Sequence, residues 1–174
     1  KLIGLAAQEY EYNFYCGEEV ITDPKARRIC GNEKWGKKIS PSLRSDSTED
    51  AFDWKNDRRP QIPYENSIFY QLHVRGFTKH TSSGVTAKGT FAGLAEKIPY
   101  LKSLQVTAVE LMPVYEFTEL EAVKPLRQNA YPAKDQEGNP VEETLPRINY
   151  WGFKKGYYFA PKASYSVKDP VLEF

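Results

Sequence analysis

The chain has 174 residues, 40% of them hydrophobic, with 24 Lys and Arg against 23 Asp and Glu. That is enough for one ordinary domain, and a formal net charge of +1 leaves no electrostatic footprint for nucleic acid or an anionic membrane. No run approaches the ~20 apolar residues that a membrane span needs, and Lys1-Leu-Ile-Gly4 lacks a signal-peptide pattern. Neither a nucleic-acid nor a membrane partner is expected. Aromatic residues make up 14%, with twelve Tyr and three Trp. Flat rings with a polar edge suit cores, interfaces and sugar binding alike.

In chain order, Tyr10–Tyr15 alternates as a strand should, Gly17 offers a turn, and Val20-Ile-Thr22 continues as a second strand. Asp23-Pro24 stops it, because the residue before proline is biased to extended or turn geometry. Residues 34–63 are polar, with Ser, Asp and Arg clusters, and end in Arg59-Pro-Gln-Ile-Pro63. This stretch reads as a proline-stiffened linker that few contacts cross. Within it, the rings of Phe52-Asp-Trp54 are expected to pin the linker to a neighbouring surface. The reading is a β-rich piece over 1–33, a linker over 34–63 and an α/β piece over 64–174.

The α/β piece opens on Ser67–Gly76, rich in β-branched and aromatic residues, which reads as one strand. From Phe91, apolar side chains recur at Leu94, Ile98, Leu101 and Leu104, the spacing of a helix with one buried face. Thr90 is its N-cap, and Pro99 predicts a kink or break after Ala95. Gln105 stands where a left-handed residue usually ends a helix, at a steric cost of about 1 kcal/mol. Val106–Met112, closed by Pro113, is the next strand. Two strands joined by a helix-length connection lie parallel, with a right-handed crossover.

Tyr115–Tyr157 carries Pro125, Pro132, Pro140 and Pro146 and sustains neither period, so it reads as a long loop. Loops leaving the C-terminal ends of parallel strands build active sites, so a rim or lid is expected. Asn149-Tyr-Trp-Gly-Phe153 with Tyr157-Tyr-Phe159 packs six aromatics into eleven residues. This is either a folded-back hydrophobic loop or a ligand platform. Cys16 and Cys30 show no metal spacing and read as reduced structural thiols. His73 lines a site or is a hydrogen-bonded structural residue, and neither it nor His80 has an evident metal partner. No cofactor and no metal are expected. Asp169-Pro170 is a helix-start signal, yet the sequence stops at Phe174, inside an element.

Four segments carry a resemblance. Ile68–Phe77, Gly89–Leu94, Val106–Val114 and Asn149–Phe153, in this order, resemble the α-amylase superfamily (glycoside hydrolase family 13). The pullulanase, isoamylase and glycogen-debranching branch is the nearest. Tyr158–Ser166 fits the same branch, and Tyr12–Pro24 looks like the closing strands of its glycogen-binding β-sandwich module. The resemblance implies an incomplete α/β fold: the last strands of that module, then the first two strands, first helix and long second loop of a (β/α)8 barrel.

It further implies a retaining glycoside hydrolase of α-1,6 branch linkages in glycogen, starch or pullulan. One carboxylate would act as nucleophile and another as acid/base. Both would lie on later strands, so no catalytic residue is expected in this chain, and Glu110, Glu116 and Glu119 read as structural or rim carboxylates. Asn149, Tyr150, Trp151 and Phe153 are the substrate-binding candidates. Phe153 stands where the family usually has a Tyr that stacks on the glucose ring. The implied partners are an α-glucan and the remainder of the same enzyme, in the cytoplasm. The alternatives are an α-1,4-acting amylase, a branching enzyme or a non-catalytic glucan-binding fragment.

Overall fold

The computed structural model describes residues 10–37, 39, 42–46, 52–123, 137 and 145–174, with backbone alone at 121–123, 145 and 146. The alternating run near the start forms two short strands, β1 (Glu11–Tyr12) and β2 (Phe14–Cys16). Gly17, at φ +63°, takes the left-handed conformation that turns β2 back into β3 (Glu19–Ile21), pairing Phe14 with Ile21. Two more strands follow, β4 (Ile29–Cys30) and β5 (Arg44–Asp46). They join β1 in an antiparallel sheet of order β1-β5-β4.

The middle strand of that sheet lies inside the stretch expected to be a linker. Its polar composition misleads at this strand, where a polar side chain is satisfied inside the fold. Ser45 is fully buried, and its hydroxyl accepts the Asp23 N–H at 2.9 Å. Trp35, from the same stretch, packs against a buried cluster of Val74, Phe91, Phe117 and Tyr165. A second cluster joins Ala26 and Ile29 to Ala160, and Arg28 pairs with Asp169 at 2.6 Å. Trp35 and β5 are therefore built into the fold, and contacts reach them from both sides of the chain.

The strand expected over Ser67–Gly76 is cut short. β6 (Phe69–Leu72) stops at His73, whose Nδ1 accepts the Gly76 N–H at 2.9 Å and caps helix α1 (Val74–Lys79). A side-chain cap overrides β-propensity here. Thr90 accepts the Gly93 N–H at 3.1 Å and starts α2 (Phe91–Ala95), as expected. The break after Ala95 is also present, and Pro99 sits in the first turn of α3 (Ile98–Ser103), where its missing N–H costs nothing. Because the helix restarts, Phe91 and Leu101 are buried while Ile98 and Leu104 stay exposed.

Gln105 has φ +60°, the left-handed end expected from its position. β7 (Ala108–Leu111) then runs parallel to β6, from Phe69 opposite Ala108 to Leu72 opposite Leu111. The expected long loop is not structureless. It contains β8 (Tyr115–Phe117), β9 (Leu120–Val123) and β10 (Leu145–Ile148), and β11 (Gly156–Pro161) follows across its end. β9 pairs with β10 and β8 with β11, both antiparallel. Strands of three or four residues are too short to establish a period. Pro125, Pro132 and Pro140 lie outside the described residues. Asp169 caps the short α4 (Pro170–Glu173), accepting the N–H groups of Val171 and Leu172.

Replacing Gln105 by Gly removes the steric cost of positive φ while adding freedom to the unfolded chain. The net expected gain is about 0.5–1 kcal/mol, read from the midpoint of urea unfolding. A midpoint that falls would show that Gln105 holds its turn by side-chain contacts.

Candidate functional site

The aromatic loop rests on a buried charge cluster. Lys162 is fully buried, and its Nζ lies 2.6 Å from Glu116 Oε1, 2.7 Å from Glu119 Oε1 and 2.7 Å from the Phe117 carbonyl. Three acceptors match the three N–H bonds of an ammonium group. Glu116 also accepts from Asn32 Nδ2 at 2.7 Å and the Ala163 N–H at 2.8 Å, and Glu119 accepts from the Ser164 hydroxyl at 2.9 Å. Burial pushes the Glu116 carboxyl above its ordinary range, and Lys162 opposes that shift. Glu110 stands apart, exposed and accepting from Gln71 Nε2 at 3.0 Å. Glu116 and Glu119 are thus internal braces.

Above them, the Asn149 N–H donates to the Glu119 carbonyl at 2.7 Å, and Asn149 Oδ1 accepts the Gly152 N–H at 3.2 Å. Gly152 has φ +74°, and a Cβ there would come within 2.3 Å of the Phe117 ring. Glycine is required for the loop to close onto β8. Tyr115 reinforces the closure, its hydroxyl donating to the Gly152 carbonyl at 2.7 Å.

His73 is a structural residue of this site. Its ring stacks on Tyr150 at 4.4 Å and 9°. Since Nδ1 accepts the Gly76 N–H, the proton belongs on Nε2, which donates to the Tyr150 carbonyl at 2.9 Å and faces the Tyr165 hydroxyl at 3.1 Å. Burial holds its pKa below the ordinary value and drives that of Tyr165 upward. Gly76 is needed here too, since a Cβ would meet the Tyr150 hydroxyl at 2.6 Å.

The four candidate binding residues are thereby divided. Asn149 and Tyr150 face inward and hold the loop. Trp151 is 53% exposed, edge-on to Tyr150 and His73, and Phe153 is 69% exposed with no ring contact among the described residues. These two rings are presented outward. A separate cavity of about 450 Å³ is lined by Phe52, Trp54, Tyr115, Tyr158 and Phe174 among others, and touches none of the four. Among the described residues no cluster of His, Cys, Asp and Glu could hold a metal. Cys16 and Cys30 are free, and burial with the Glu11 carboxylate pushes the Cys30 thiol up to about 12, which keeps it unreactive.

Asn32, Trp35 and Lys162 escape a sequence reading. Asn32 and Trp35 sit in polar stretches without period, and Lys162 appears only as a charge between strands and turns. Their partners lie far away in the chain, at separations of 84 residues for Asn32–Glu116 and 46 for Lys162–Glu116.

No family model matches the chain. It is similar to isoamylase 1 of Arabidopsis thaliana, a chloroplastic protein, with 31% identity over 164 residues. That match covers 90% of this chain and 19% of the relative. Isoamylase 3 of Oryza sativa is 36% identical over 154 residues, covering 84% and 18%. Among solved structures, the pullulanase SAP of Group B Streptococcus matches with a TM-score of 0.61 and 26% identity, covering 94% of this chain and 22% of that one. The chain therefore spans about a fifth of the length of the relatives it matches. These relatives and neighbours support its resemblance to the debranching branch of isoamylases and pullulanases in the α-amylase superfamily of glycoside hydrolases.

Two measurements test the supports of the site. Lys162→Met leaves two carboxylates buried without their cation, and unfolding free energy is expected to fall by about 3–5 kcal/mol. A loss under about 1 kcal/mol would mean that the cluster is braced by its neutral donors alone. For His73, a folded pKa below the ordinary 6.5 means that the unfolded chain binds the proton more readily. Its contribution is complete above pH ~6.5 and is lost as pH falls below that value. The melting temperature of the parent minus that of His73→Gln should therefore shrink from pH 7 to pH 5. A constant difference would contradict a neutral, buried His73.

Proposed function

We propose that this chain is the N-terminal part of the catalytic region of an α-glucan debranching hydrolase. It would act on α-1,6 branch linkages of glycogen, starch or pullulan by a retaining mechanism, with both catalytic carboxylates on barrel strands outside these residues. In this reading, residues 1–33 end a glycogen-binding β-sandwich module and residues 64–174 begin a (β/α)8 barrel. The parallel pair β6 and β7, joined through α2 and α3, is the unit from which such a barrel is built. Its partners would be the α-glucan and the rest of the same enzyme, in the cytoplasm. No helix among the described residues is long and apolar enough to cross a membrane.

The observation that carries the proposal is the outward pair Trp151 and Phe153 on an immobilised loop, in a chain aligned along most of its length with isoamylases. Rings held in place stack on a sugar face at little entropic cost. Phe153 offers that face without the hydroxyl of the usual Tyr, so it contributes stacking and no hydrogen bond. This chain's role is then to bind and orient the glucose ring beside the scissile bond.

The full-length enzyme should release reducing ends from pullulan, whereas the 174-residue chain alone should release none. In the full-length enzyme, Phe153→Ala should lower kcat/KM by about tenfold with little change in melting temperature. Phe153→Tyr should stay near the parent. Turnover by the chain alone would overturn the assignment of chemistry to other residues. A variant Phe153→Ala that loses stability and keeps kcat/KM would make the loop a core element and not a platform.

A further inference from the structure

Trp35 packs among three aromatic residues in and beneath the aromatic loop. Its ring stacks on Tyr165 at 5.6 Å and 22°, and meets Tyr150 and Phe117 edge-on at 6.0 and 6.2 Å. The Arg75 guanidinium lies 4.8 Å from the Trp35 ring centroid. Each of the three ring contacts leads to the loop. Tyr150 belongs to it, Gly152 closes against Phe117, and Tyr165 shares His73 Nε2 with the Tyr150 carbonyl. The Trp35 segment is itself fixed, because Asn32 donates to Glu116 Oε1 at 2.7 Å and to the Phe117 carbonyl at 3.1 Å.

We propose that Trp35 is a positioning residue for glucan binding, setting the height and tilt of the Trp151–Phe153 platform through Tyr150, Phe117 and Tyr165. The segment Asn32–Trp35 lies between β4 and β5, so the connection between these two strands adjusts the sugar site through the loop. The inference rests on the reading of Asn149–Phe153 as a glucan site. Trp35 makes no ring contact with Trp151 or Phe153 among the described residues, so its effect passes through the loop. Losing its ring frees Tyr150 and Phe117 to shift, and misplacement by about 1 Å is enough to cost up to two orders of magnitude in rate.

The test uses the full-length enzyme with pullulan, assayed about 20 °C below the melting temperature of each variant. Trp35→Ala should lower kcat/KM by about tenfold, and Trp35→Phe, which keeps an aromatic ring against Tyr150, should recover to within about threefold. Combined with Phe153→Ala, the two losses should be less than multiplicative, because both act on one platform. Where Trp35→Ala does not fold, Trp35→Leu takes its place, keeping apolar volume while removing the ring contacts.

Suppose Phe153→Ala costs activity while the Trp35 variant keeps kcat/KM within about twofold and only melts earlier. Then Trp35 is a core residue and the inference fails alone. Fully multiplicative losses would equally overturn action through the loop. If Phe153→Ala itself leaves kcat/KM unchanged, the site reading fails first, and the inference falls with it.

Discussion

The arrangement hangs on one buried cation. Lys162 has no exposed surface, and two carboxylates and a main-chain carbonyl meet its three protons. Removing such groups from water is expensive, and apolar replacements of similar volume are often at least as stable. What the charges provide is position. Glu116 sits on β8, Glu119 two residues beyond it, and Lys162 directly after β11, so the ammonium fixes where β8 and β11 lie against each other. The register of that pair shifts between Tyr157 and Pro161, so the ladder alone specifies it weakly. The Lys162 N–H also donates to the Val114 carbonyl at 2.7 Å, tying the same residue to the end of the parallel pair.

From this brace the loop inherits its rigidity. The Glu119 carbonyl receives the Asn149 N–H, and the Phe117 ring receives Gly152, so both ends of the turn are seated on the residues that hold Lys162. His73 completes the seat from the other side. As N-cap of α1 it is locked by Gly76, and as a neutral donor it holds the Tyr150 carbonyl. A protonated ring would lose the first bond, since a second N–H would face a donor. Burial keeps the ring neutral and so serves the geometry of the loop.

What was legible in the sequence is what local chemistry decides. Thr90 as N-cap, the break before α3, the left-handed Gln105 and the parallel strands all follow from residue types at short spacing. His73 marks the limit. Its neighbours favour a strand, and only a bond to a glycine three residues on converts them to helix. The supports of the loop were illegible for a different reason. Trp35, Asn32 and Lys162 act on partners dozens of residues away, and a buried ion pair leaves the same letters in a sequence as a solvated one. The family resemblance selected Asn149–Phe153 but could not separate inward from outward side chains. That division needed the positions of Phe117 and His73.

The described residues hold two kinds of surface. Around the aromatic loop, the Lys162 charge is matched and rings are nested, so the loop draws its geometry from contacts within this chain. Around β6 and β7 the opposite holds: Phe69 is 56% exposed and Val109 40%, although they lie on a parallel pair. Parallel strands occur almost only where both faces are covered, because their side chains are apolar on both sides. Among the described residues, apolar cover is thus incomplete over β6 and β7, while the loop is packed. A chain built this way separates two tasks. The aromatic loop is fixed locally by a charge cluster and a histidine, while the parallel pair keeps apolar rings and side chains open to further packing.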